Sequence, residues 1–273
     1  YVKTVHRFGR DYYKRIPYAF SWNGVRGENL HTPKSVDRAI PVARGSAMNL
    51  GGDLIHKDPL PYLPLWRAAS QQQHIAMIAT LADSLLERRA LEESLIPDDD
   101  VESFTVAGFC VVCGSEESLR VGNMYSTKRL TDGRLIPNWR EHLDCPCCGF
   151  TSRLRASLHV FFQEFDPQPD DVIYVTEQVT PMFRWIKDHF SLAVGSEFLN
   201  AHYAGGDVID GVRHEDLQDL SFPDAFFNYI LSFDVLEHVP NHHQALRELA
   251  RCLKPGGSLL MTCLLYTSPS PRD

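Results

Sequence analysis

Four of the seven cysteines fall into two matching pairs. Cys110-Val111-Val112-Cys113-Gly114 and Cys145-Pro146-Cys147-Cys148-Gly149 each place two thiols two residues apart and follow them with glycine. Such spacing lets one tight turn aim both sulfurs at a single ion, and glycine accepts the positive φ that the turn needs. Two turns together supply four sulfurs about 2.3 Å from a common centre, the closed tetrahedral set that suits structural Zn²⁺. The spacing predicts Cys110, Cys113, Cys145 and Cys148 as zinc ligands, with free thiols or an iron–sulfur centre as the alternatives. Cys147 falls outside the repeated spacing and reads as a bystander. A second group with chemical capacity is Asp234, Glu237 and His238. Its imidazole could act as a general base toward an oxygen or nitrogen nucleophile. His242 and His243 follow in the first turn of the next helix and read as exposed.

Elements must bring these groups together. Residues 104–152 read as a zinc ribbon with an extended hairpin, because residues 114–144 between the pairs contain the turn sequence Thr131-Asp132-Gly133-Arg134. Trp139, Arg140, Arg153 and Arg155 could give this module a small cationic and aromatic face; junction packing is the alternative. Leu154, Leu158, Phe161, Phe162 and Phe165 lie on one face of a helix over 151–165. Strands are expected at Val172-Ile173-Tyr174-Val175, Leu192-Ala193-Val194, more weakly Val212-Arg213-His214, then Tyr229-Ile230-Leu231-Ser232-Phe233 and Ser258-Leu259-Leu260-Met261-Thr262. Helices between them, one starting near Pro181 and one over 241–253, make the pattern α/β with a parallel sheet.

From Asp171 to Thr262 the chain resembles the class I S-adenosylmethionine-dependent methyltransferases, in a type 11-like form. Leu220-Ser221-Phe222-Pro223-Asp224 with Phe227-Asn228-Tyr229-Ile230-Leu231-Ser232 is similar to the family's L-P-F-x-D and F-D-x-V entry to strand four. Asp234-Val235-Leu236-Glu237-His238-Val239 resembles its D-V-L-E-H-V signature, and Leu253-Lys254-Pro255-Gly256-Gly257 its turn into strand five. The resemblance implies a Rossmann-like methyltransferase sheet over residues 153–262, C-terminally truncated, behind the zinc ribbon and a preceding helix. It also implies S-adenosylmethionine as cofactor and a small-molecule or glycan-related acceptor. A non-catalytic scaffold that keeps the fold and the zinc site is the competing expectation.

By that resemblance Glu197 takes the ribose hydroxyls, about 20 residues after Glu177, as in dinucleotide-binding folds. Asp216, with Leu217 beside it, takes the adenine end. Asp234, Glu237 and His238 fall on the acceptor side, as a base or, as similar triples do in some relatives, as Mg²⁺ ligands. One departure stands out. The family's first loop is glycine-rich, whereas here the place reads Glu177-Gln178-Val179-Thr180-Pro181. Thr180 before Pro181 starts a helix well, and its amides are expected to meet the cofactor carboxylate. Either the rearranged loop binds cofactor or binding is lost.

Composition bounds the rest. The 273 residues are 44% hydrophobic and 23% charged, which excludes a disordered or rod-like chain. A net charge of −8 argues against nucleic acid as the default partner. No run approaches the ~20 apolar residues of a membrane span, and the start lacks a signal-peptide core, so a cytoplasmic protein is expected. Residues 1–69 show no sustained period and receive no assignment. Residues 70–98 read as an amphipathic linker helix, with Ile75, Ile78, Ala82 and Leu85 on one face, ending at Pro97. Residues 263–273 resemble a translated sequencing adapter and are expected to be non-native. That would make the chain a fragment, whose fifth strand has an open edge.

Overall fold

The computed structural model describes residues 82–99, 101–124 and 126–262. The segment 1–69, the first part of the linker helix and the tail 263–273 lie outside the described residues. Two compact units divide at His159 and Val160.

Among the described residues, the earlier unit begins with helix α1 (Ala82–Ser94). A long antiparallel hairpin follows, β1 (Ser103–Cys110) with β2 (Ser115–Gly122), in register from Ser103 opposite Gly122 to Cys110 opposite Ser115. Alternation fixes its faces: on β2, Leu119 and Val121 are buried while Glu116 and Arg120 are exposed. A small hairpin, β3 (Lys128–Arg129) with β4 (Leu135–Ile136), turns through Thr131-Asp132-Gly133-Arg134 as expected, with Gly133 at φ 94°. Arg134 fastens this hairpin to the end of α1, donating to Pro97 O at 2.7 Å and Ile96 O at 3.2 Å. Ile96, Val121 and Trp139 form the buried centre, with Phe104, Val106 and Leu143 packed on it. Helix α2 (Ser152–Phe165) starts in this unit, and Ser152 Oγ donates to Trp139 O at 2.6 Å.

The expected cationic and aromatic face is not assembled. Trp139 and Arg155 are buried; Arg155 donates to Leu143 O at 2.7 Å. Arg140 and Arg153 both pair with Glu141. The groups that would have formed a surface instead tie the module to the helix start.

The later unit carries a four-stranded parallel sheet. Its strands are β5 (Ile173–Val175), β6 (Val194–Gly195), β9 (Phe227–Phe233) and β10 (Leu253–Thr262), in the order β10-β9-β5-β6. Interior β5 is buried at every position, the near-continuous apolar run expected when helices cover both faces of a parallel sheet. Helix α3 (Pro181–His189) begins where Thr180 caps it and Pro181 presets φ; helix α4 (His242–Cys252) begins at the Asn241 cap. Leu246 and Leu249 of α4 pack with Tyr174, Phe222, Phe227 and Ile230 in one core.

The weak third strand departs from expectation. Val212-Arg213 pairs antiparallel with Val208-Ile209, forming hairpin β7 (Val208–Ile209) and β8 (Val212–Arg213). Only a single parallel bridge, Glu197 with His214, links this hairpin to the end of β6. The Asp210-Gly211 turn, at φ 51° and 80°, supplies the left-handed pair that a two-residue hairpin demands. No described helix is long and apolar enough to cross a membrane.

Candidate functional site

The cysteine turns are near copies of one another. Gly114 N–H donates to Cys110 O at 2.8 Å and Gly149 N–H to Cys145 O at 2.9 Å, with the glycines at φ 69° and 75°. The first turn is the tip of the β1–β2 hairpin. Arg120 and Asp144 exchange backbone hydrogen bonds at 2.9 and 2.8 Å, which brings the second turn alongside β2. The two pairs thereby converge across a long intervening sequence.

Their sulfurs stand as a four-coordinate ion requires. Cys110 and Cys148 are 3.8 Å apart, Cys113 and Cys145 3.7 Å, and all four lie within 4.8 Å of one another. A tetrahedron with sulfur about 2.3 Å from its centre has edges of about 3.8 Å, whereas a disulfide needs about 2.05 Å. Cys147 is exposed and outside the set. Four thiols this close cannot all ionise unaided. The contact with the Cys148 thiol draws Cys110 down to about 5, while Cys148 itself is pushed up by that contact and by burial. Burial also raises Cys113. A divalent cation removes the conflict, because it favours thiolate at every position. The donor set, distances and burial fit zinc.

The second candidate site lies at the carboxyl ends of β5, β6 and β9, where open α/β sheets bind ligands. Glu197 follows β6. Its Oε1 accepts from Val179 N–H at 2.7 Å, so the side chain reaches toward the loop after β5. Its second oxygen takes no hydrogen bond among the described residues. Glu177 follows β5 and braces the neighbouring strand, accepting from Phe233 N–H at 3.2 Å and from Thr176 Oγ1 at 2.6 Å. The Thr180 hydroxyl is engaged as a helix cap, accepting from Phe183 N–H at 3.1 Å and donating to Glu177 O at 2.9 Å.

Asp216 closes a tight turn. Its carboxylate accepts from Gln218 N–H at 2.8 Å and from the Gln218 amide, and Leu217 is buried in the core. Asp234 follows β9 at φ 59°, in the left-handed region that few residues other than glycine, asparagine and aspartate adopt. Thr262 holds it there: Thr262 Oγ1 donates to Asp234 Oδ1 at 2.7 Å, and Asp234 N–H donates to Thr262 O at 2.9 Å. Glu237 and His238 lie in the 3₁₀ turn that follows, with His238 exposed. Asp234, Glu237 and His238 do not converge as metal ligands; among the described residues only the four cysteines do.

Several organising residues escaped the sequence reading. Glu215, its side chain fully buried, accepts from Arg213 Nε at 2.8 Å, Ser221 Oγ at 2.6 Å and Ser221 N–H at 2.9 Å. Arg251 donates to Leu220 O and Phe222 O, both at 2.8 Å, and so holds the strand-four entry against α4. Gln178 stands in the run that lacks the family's glycines. It is a bridge: its Nε2 donates to Gly211 O and its Oε1 accepts from Arg213 N–H, both at 2.9 Å. Spacing could not reveal these pairings, which join segments about 30 residues apart or depend on a turn only the fold creates.

A family described as a methyltransferase domain matches residues 189–261. The match covers about a quarter of the chain. It spans the last residue of α3, then β6, the β7–β8 hairpin, β9, α4 and most of β10, and the parallel order of the sheet is that of an α/β Rossmann-like methyltransferase fold. Among similar proteins, 27-O-demethylrifamycin SV methyltransferase of Amycolatopsis mediterranei is 39% identical over 67 residues, 24% of this chain and 24% of that one. Demethylmenaquinone methyltransferase of Listeria welshimeri is 40% identical over 57 residues, 21% of this chain and 23% of that one. The chain thus spans about a quarter of the length of these curated relatives. A solved S-adenosylmethionine-dependent methyltransferase from Mesorhizobium loti is 26% identical, with 40% of this chain and 50% of that one covered, at a TM-score of 0.29.

Proposed function

We propose that this protein transfers a methyl group from S-adenosylmethionine to a small-molecule or glycan-related acceptor, and that a structural Zn²⁺ bound by Cys110, Cys113, Cys145 and Cys148 stabilises the unit before the methyltransferase-type sheet. The observation that carries the cofactor reading is Glu197. It stands at the crest of β6 with one oxygen held by a backbone amide and the other without a partner among the described residues. A carboxylate so arranged suits a ribose hydroxyl. Asp216 and Leu217 mark the adenine side in this reading, while Glu177 and Thr180 position the loop between them.

The cofactor supplies an electrophilic methyl on a sulfonium, so the protein's task is alignment and, for a protonated nucleophile, proton removal. His238, exposed just past β9, serves as the base. Asp234 and Glu237 position the turn that presents it. Zinc contributes folding energy only, since four sulfur ligands leave no open coordination position.

Titration of the full chain with S-adenosylhomocysteine tests this. Glu197→Gln keeps an acceptor for Val179 N–H but removes the charge, and is expected to weaken binding about tenfold to a hundredfold. Unchanged affinity in that variant overturns the role of Glu197. The Gln178 bridge favours a second reading, a non-catalytic scaffold, because it fills with a side chain the loop that relatives leave to glycine. Absence of binding at millimolar ligand would select that reading.

A further inference from the structure

Four exposed apolar side chains gather around one buried histidine. The His214 ring lies 5.4 Å from the Phe198 ring and 5.9 Å from the Tyr203 ring. Its Nδ1 accepts from Leu199 N–H at 3.1 Å, and the His214 backbone N–H donates to Asp207 O at 2.7 Å, beside Val208. Phe198 is 59% exposed and Val208 64%, and Leu199 and Tyr203 are exposed as well. Single exposed apolar residues are ordinary, but four held on one framework mark a contact surface.

The rim of this face is acidic. Asp207 and Asp210 are exposed on it, and Glu197 immediately precedes Phe198. Residues 160–262 as a whole carry 16 Asp and Glu against 6 Lys and Arg, and Arg213, the cation on the same hairpin, pairs with Glu215. A second copy of the face would bring like charges together, whereas a cationic, aromatic-rich partner meets both features. The chain carries such a segment outside the described residues. Residues 1–22 hold seven aromatic residues and five cations, Lys3, Arg7, Arg10, Lys14 and Arg15, against the single acid Asp11. Residues 23–81 join this segment to α1 and can extend to ~200 Å, so reach does not limit where it binds.

We propose that residues 1–22 dock on this face of the same chain. Their aromatic side chains cover Phe198, Leu199, Tyr203 and Val208, and their guanidinium and ammonium groups pair with the acidic rim at Asp207 and Asp210. Tethering favours this intramolecular contact over capture of an outside partner. The contact does not depend on what Glu197 binds, so it stands or falls apart from the cofactor reading.

A benzoylphenylalanine photoprobe in place of the exposed Phe198 tests this in the full chain. An equal mixture of isotope-labelled and unlabelled protein is irradiated at low salt, and the linked peptides are identified by mass spectrometry. The expected product joins position 198 to a peptide within residues 1–22, both heavy or both light. Mixed heavy–light links would put a second copy on the face, and links to other segments or to none would leave it to another occupant; each overturns the inference. A chain that gives no such link but retards RNA on a gel commits its cations to nucleic acid and overturns it too. Arg7→Glu, Arg10→Glu, Lys14→Glu and Arg15→Glu together are expected to cut the yield at least about fivefold. An unchanged yield overturns the charge pairing that selects this segment. Slow hydrogen exchange retained in β5 and β9 shows that the probe and the substitutions leave the sheet intact.

Discussion

Two carboxylates in the methyltransferase-type unit show how differently one residue type can be used. Glu215 is buried and fully engaged by Arg213 and Ser221, while the Arg213 guanidinium also lies 4.5 Å over the Phe222 ring. Removing the carboxylate leaves the Arg213 cation without its charged partner and the Ser221 N–H without its acceptor. Glu215→Ala is therefore expected to cost about 3–5 kcal/mol, measured by urea unfolding; a loss below about 1 kcal/mol would show the network to be dispensable. Glu248 makes the opposite case. Arg251 holds its carboxyl below the usual range, chiefly through hydrogen bonds, on a partly exposed helix face. A depressed folded value means the contribution is present above the unfolded pKa of about 4.3 and is lost as pH falls through the lower folded value. The difference in urea midpoint between wild type and Glu248→Gln should be clear at pH 7 and shrink at pH 3.5. A gap that widened in acid would reverse the assigned sign.

At the scale of elements, the turn from α4 into the last strand gives a sharper test of backbone geometry. Leu253 pairs with Phe227 and Ser258 with Tyr229, so Lys254-Pro255-Gly256-Gly257 bulges out of the ladder between them. A methyl group at Gly257 would stand 2.9 Å from both Asn228 O and Lys254 O, backbone atoms that cannot swing aside. Gly257→Ala is expected to cost about 1–3 kcal/mol, whereas alanine at Gly108 meets the mobile end of Leu119 and should cost less. Equal unfolding midpoints for the two variants would show that the bulge yields. This turn was legible in the sequence because glycine and proline act locally, as were the cysteine pairs, the Thr180 and Asn241 helix starts and the apolar strands. The third strand was misread because Val212-Arg213 has strand-like residues but takes its partner from the Asp210-Gly211 turn. Gln178 and Glu215 were illegible for the same reason: a polar side chain's role depends on which distant backbone groups the fold leaves in reach.

For the molecule as a whole, the two units draw on different sources of stability. The unit from Val160 onward buries a continuous core around Tyr174, Phe227, Ile230 and Leu249, enough apolar surface to hold a parallel sheet without a metal. Among the described residues, the unit up to His159 gathers a small buried cluster of Ile96, Val121 and Trp139, and small cores usually need a staple. Its two cysteine turns are where that staple belongs, so metal loss should act on one unit and spare the other. Purified protein is expected to carry one zinc per chain by elemental analysis. A strong chelator should then raise hydrogen exchange across β1, β2 and residues 144–150 while β5 and β9 stay protected. Cys110→Ser and Cys145→Ser remove buried ligands and should abolish zinc binding; Cys147→Ser, outside the set, should retain it. Exchange that rose equally in both units on chelation would mean that the metal supports the whole chain. Metal-free protein with an intact β1–β2 hairpin would mean that the four thiols stand together without needing an ion.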